Sequence, residues 1–266
     1  MISKIIKISS KTVLRYRDVL RLFSLYREEL SMKVYIVSII KLLYKISSML
    51  IMFIPIKIFI VIASGKSISF LDDYQRHFSF DVTLFFLFSS LAIIYLVNLV
   101  SQFTIPRFIS KEKDKFRGII EVNYKGDTYP RAFIRRCYGN VVNFLSDFLL
   151  VIFCIFTSLY ISFNFSIIYL LVLFLFYAII EYLVLTDNRF DFLNKVGVGA
   201  IDFISVCSSL NFLIVFASVF WVYYISSMPV HDGVLLLMLS RLANSGVKGL
   251  AVSNYKISQH YKIMDN

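Results

Sequence analysis

Six apolar blocks recur along the chain, and nothing else in the sequence restricts its fold so severely. A helix crossing a bilayer needs about 20 mostly apolar residues. The blocks are Ile46–Ala63 (its helix expected to begin near Val34), Val82–Val100, Val141–Ile161, Phe165–Leu185, Phe203–Ile225 and Gly233–Val252. A soluble domain has about a quarter of its residues charged, whereas these 266 residues are 17% charged and 58% hydrophobic. The expected fold is an all-α membrane protein. An amphipathic N-terminal helix (1–33) precedes six transmembrane helices (34–252), and a short tail (253–266) follows. Only Ser162, Phe163 and Asn164 separate the third and fourth blocks, so these two spans form a tight antiparallel hairpin.

The net charge of +11 would point to nucleic acid in a soluble protein. In a membrane protein the same excess marks the cytoplasmic flanks. Lys4, Lys7, Lys11, Arg15, Arg17, Arg21, Arg27 and Lys33 precede the first span. Arg107, Lys111, Lys113, Lys115, Arg117, Lys125, Arg131, Arg135 and Arg136 follow the second. The link between spans one and two sets Lys66 and Arg76 against Asp72, Asp73 and Asp81, and the link "SSMPVHDG" has no basic side chain but His231. Both termini and the 101–140 loop are therefore expected in the cytoplasm, in a multi-pass protein of the plasma (inner) membrane. The bilayer is its first partner, and no nucleic acid is implied.

Within residues 1–33, Val13, Leu14, Leu20, Leu22, Phe23, Leu25 and Leu30 alternate with arginines at helical spacing. The pattern predicts a helix lying in the inner interface, its cations toward anionic lipid. A disordered basic tail is the alternative reading.

Catalytic patterns are missing. Gly65-Lys66-Ser67 ends like a phosphate-binding loop, but the glycine that such a loop needs would stand at position 60, where Ile60 is found. The triplet reads instead as the outer boundary of the first span. His77, His231 and His260 are isolated, and Asp232 reads as a cap of the sixth helix. Cys137, Cys154 and Cys207 lack metal-ligand spacing. No catalytic residue, metal or cofactor is expected on this chain, and no enzyme activity.

Ionisable groups in hydrocarbon cost several kcal/mol unless paired or hydrated, which makes them the default functional candidates. They are Lys57, Asp147, Glu181, Arg241 and Lys248, with Asn98, Asn211 and Asn244 beside them. Arg241, Asn244 and Lys248 recur at i, i+3 and i+7 on the sixth span, with Ser240, Ser245, Gly246 and Gly249 as small neighbours. Two readings stand. Either Arg241, Asn244, Lys248 and Asn211 line a water-filled cavity, or Arg241 pairs between helices with Asp147 or Glu181. Lys57 is the remaining charge partner.

The passage "SSMPVHDGVLLLMLSRLANSGVKGL" resembles the outer turn and sixth helix of type I ABC exporters. Pro55 in the outer half of the first span, the aromatic link "SLYISFNFSIIYLLVLF", the N-terminal elbow-like helix and six spans with both ends inside agree with it. The resemblance is nearest to the peptide- and protein-exporting branch. It implies an ABC-exporter-like transmembrane domain that works as a homodimer and carries a substrate such as a peptide outward. ATP would be bound by a separate ATPase chain docking under Ser101–Asn140. "GIIEVNYKGDTYPRAF" would hold a coupling-like helix there, with Tyr124, Asp127, Tyr129 and Arg131 as docking candidates. The stretch Thr186–Asp202 is too short for the family's second cytoplasmic extension. That shortness keeps open an alternative: an ATP-uncoupled, ABC-like membrane protein serving as an accessory, immunity or pore-forming component.

Overall fold

The computed structural model describes residues 19–30, 33–64, 80–116, 121–124, 127–185, 197, 199–226 and 230–265. Gly65-Lys66-Ser67, His77 and most of Thr186–Asp202 lie outside them. The helices are α1 (Lys33–Ser64), α2 (Phe80–Lys115), α3 (Arg131–Ile161), α4 (Phe163–Ile180), α5 (Ala200–Ser226) and α6 (Val230–Asp265). Strands β1 (Glu121–Tyr124) and β2 (Asp127–Pro130) lie between α2 and α3. All six helices are long and apolar enough to cross a membrane.

Several helices overrun the apolar blocks. The 36 residues of α2 make a rod of about 54 Å, against a hydrocarbon core of about 30 Å. Its last turns, "SKEKDK", are built from Lys, Glu and Asp, of which Lys and Glu are good helix formers that need no apolar face. The helix therefore occupies 101–115, which the hydropathy pattern assigns to a loop.

The chain divides into two compact units. In the smaller, Ile40–Arg107, the Asn98 amide of α2 donates to the Tyr44 carbonyl (3.3 Å) and to Ser47 Oγ (3.1 Å) of α1. Away from that latch, Phe85, Phe86 and Phe103 stand exposed, as side chains facing lipid do.

The larger unit holds α3 to α6. Ser162 alone separates α3 from α4: its N–H donates to the Ser158 carbonyl and its Oγ accepts from the Phe165 N–H. The expected hairpin is thus even tighter than its sequence suggests. Exposed Tyr160, Trp221 and Tyr224 stand near the C-terminal ends of α3 and α5, Tyr160 opposite the Arg-rich start of α3, in the manner of an interfacial aromatic girdle. At the far end of α4 the helix loosens into a π turn, Glu181–Leu185. Beyond it Gly197 has φ +72°, a left-handed conformation that glycine adopts without steric cost. Asp232 lies in the first turn of α6 rather than before it. It favours the helix through its charge near the positive end of the dipole.

At the basic end the structure corrects two expectations. The segment "EVNYKGDTYP" is an antiparallel hairpin, with Glu121 opposite Pro130 and Tyr124 opposite Asp127, and not a coupling helix. Period-two alternation places Val122, Tyr124 and Tyr129 on one face. The N-terminal helix (19–25, ending in the π turn Tyr26–Leu30) does not keep its apolar face for lipid. Val19, Leu22, Leu25 and Tyr26 are buried with Tyr124, Tyr129, Phe133, Ile134, Tyr138, Val141 and Ile257 in one apolar cluster. Leu20 alone of the described apolar positions there stays largely exposed.

Candidate functional site

The polar residues of the larger unit converge on α6, which presents three faces. Toward α5 lies a closed amide network. Asn211 Nδ2 donates to Asn244 Oδ1 at 2.8 Å. Asn244 Nδ2 in turn lies 2.8 Å from the Ser208 carbonyl and 3.0 Å from Ser208 Oγ. All three side chains are buried. Buried polar groups in an apolar medium need partners: the Asn244 oxygen serves the Asn211 amino group, and Ser208 serves that of Asn244. Asn244→Leu should therefore cost about 1–2 kcal/mol, because the Asn211 amide is left unsatisfied. The Asn211→Leu/Asn244→Leu pair should recover most of that, measured by thermal unfolding in detergent. An additive double variant would show that the two amides are not coupled.

Toward α3 the surface of α6 is made of small residues. A side chain at Gly246 would meet Val151 Cγ2 at 2.9 Å, so the two backbones approach closely there. At Gly249 the space a side chain would need is taken by the Asp147 carboxylate, which is buried. Next to Asp147, Ser146 Oγ is buried without a hydrogen-bond partner among the described residues. Two tyrosines of α4 also reach α6: Tyr169 donates to the Ser240 carbonyl (3.2 Å), and Asn254 Nδ2 donates to Tyr177 (3.3 Å).

The third face is open. Arg241, Ser245 and Lys256 are exposed, and Lys248 and Gln259 are half-buried. Their spacings of four, three, eight and three residues keep them on one side of the helix. None of the three cations has a carboxylate partner among the described residues. The interhelical ion pair of Arg241 with Asp147 or Glu181 is not formed there. Asp147 sits at Gly249, eight residues and about 12 Å farther along α6 than Arg241. Glu181 opens the π turn after α4 and is half-buried. Lys57 belongs to α1, but its side chain lies outside the described residues. The structure thus separates Arg241 from Asn244, because three helical residues fall 60° short of a full turn.

The docking candidates are gathered at the basic end, but the two tyrosines among them face inward. Tyr124 and Tyr129 are only 6% and 2% exposed. The Tyr124 hydroxyl lies 2.8 Å from Ser24 Oγ and from the Glu28 carboxylate. Asp127 pairs with Arg21 at 2.9 Å, and Arg131 opens α3 half-buried. Tyr26, fully buried, donates to the Ile134 carbonyl at 2.6 Å, and burial pushes its phenol well above the ordinary range. Buried Glu112 holds Lys115 at 2.8 Å and Lys33 at 3.6 Å.

Sequence reasoning passed over Tyr26, Glu112, Ser208 and Lys256. For Lys256 the signal was present, eight residues after Lys248 on the same face. For Tyr26 it was the i, i+3, i+7 spacing with Val19 and Leu22. No protein-family model, no curated protein and no solved structure matches the chain.

Proposed function

We propose that this chain is the membrane-spanning subunit of an ABC-type exporter, paired with a second copy of itself and driven by a separate ATPase chain. In this reading the basic end faces the cytoplasm of the plasma membrane. The observation that carries it is the open cationic face of α6. Arg241 lies eleven residues into the helix, about 16 Å from its start and near the middle of a core about 30 Å thick. A guanidinium facing hydrocarbon at that depth is costly. A water-filled path between two copies removes the cost, and α6 would be its wall.

A second reading has its own support. The hairpin and N-terminal helix close on each other and turn Tyr124 and Tyr129 inward, so the described residues between α2 and α3 offer no free aromatic surface to an ATPase. This favours an ATP-uncoupled accessory, immunity or pore-forming component. Purification in mild detergent decides between them. The exporter reading expects a co-purifying ATPase subunit, and Arg241→Leu protein that inserts normally but no longer transports. A chain that purifies alone, from cells where its activity is intact, would favour the uncoupled component.

A further inference from the structure

The open face of α6 has a length as well as a sign. Arg241 and Lys256 are fifteen residues apart on the helix, or about 22 Å, with Lys248 between them. Ser245 and Gln259 add hydrogen-bonding groups, and half-buried Met238 and Val252 add apolar surface on the same side. Cations without carboxylate partners among the described residues, where they lie beside low-dielectric walls, attract anions far more strongly than they would in water.

An anionic phospholipid does not fit this stripe. Its phosphate is held at the interface, about 15 Å from the bilayer centre, where it could meet Lys248 or Lys256 but not Arg241 near mid-membrane, so one headgroup leaves the stripe part-filled. The ligand must carry negative charge along its own length. An extended peptide advances about 3.3 Å per residue, so about seven residues match the span from Arg241 to Lys256. Alternating side chains would send acids to one side and apolar groups to the other. Resting on the reading that this face lines a transport path, we propose that α6 binds an extended acidic peptide. Its carboxylates would meet Arg241, Lys248 and Lys256.

The test uses the full chain in phosphatidylcholine nanodiscs and a fluorescent heptapeptide alternating Glu and Leu, followed by anisotropy. Saturable binding is expected. It should be roughly tenfold weaker for the twin with Gln in place of Glu, and for Arg241→Gln/Lys248→Gln protein. Adding phosphatidylglycerol to the nanodisc should leave it unchanged. Equal binding of the two peptides would overturn the proposal. So would displacement by phosphatidylglycerol, which would assign the stripe to lipid. Should the double variant fail to fold, the Glu and Gln twins on the unmodified protein still decide. No ATPase enters this assay. Selective binding without a co-purifying ATPase would sink the exporter reading alone, and an ATPase partner without selectivity would sink this one alone.

Discussion

Gly249→Ala is expected to lower the melting temperature of the detergent-solubilised protein by roughly 6–12 °C, the largest effect of any single methyl group in the bundle. The added carbon would fall on the Asp147 carboxylate, which is buried between α3 and α6. Overpacking usually costs about 1–3 kcal/mol, and each kcal/mol shifts the midpoint of a chain of this size by about 2–4 °C. The upper end applies because the obstacle is a short side chain with little freedom. Moving it aside would also take a buried polar group from the position in which the bundle holds it. The companion experiment isolates the contact. In an Asp147→Ala background the same glycine substitution should cost under about 1 kcal/mol, since its obstacle is gone. Equal penalties in both backgrounds would place the strain elsewhere.

Tyr26→Ala should release the N-terminal segment while leaving the spans in the membrane. Tyr26 is fully buried, donates to the Ile134 carbonyl and stacks edge-on against Tyr138 with ring centroids 5.6 Å apart. Truncating a buried aromatic costs about 3–5 kcal/mol. That is enough to detach one short helix held by Val19, Leu22, Leu25 and the Arg21–Asp127 pair. Limited proteolysis of the detergent-solubilised protein reads the result directly: cleavage before Lys33 should accelerate at least tenfold. Tyr26→Phe removes only the hydroxyl and should cost about 1 kcal/mol. Wild-type resistance in the alanine variant would show that the segment is held from elsewhere.

The six spans were legible because a bilayer imposes a length and a composition that ordinary hydropathy detects. The α3–α4 turn was legible for the same reason: two blocks with three residues between them leave no other path. The hairpin at 121–130 was not. Each strand has four residues, too few for period-two alternation to stand out beside 30-residue helices. Helix ends were misjudged where Lys and Glu continue a helix beyond the apolar block, as in α2. The site was legible in part. Arg241, Asn244, Lys248, Asn211 and Asp147 were all singled out as polar groups in apolar blocks, yet their partners were not. That Asp147 lies over Gly249, and Asn244 against Asn211, depends on the register between helices distant in sequence, which no periodicity encodes.

The core around Tyr26 also sets an order of events. The N-terminal helix is synthesised before every partner it packs against. Tyr124 to Val142 follow about a hundred residues later, and Ile257 comes from the end of the last span. At about 5–20 residues per second, the ribosome delivers Ile257 more than ten seconds after Tyr26. This helix can thus complete its docking only after α6 has been made, and its docking reports that α6 has arrived.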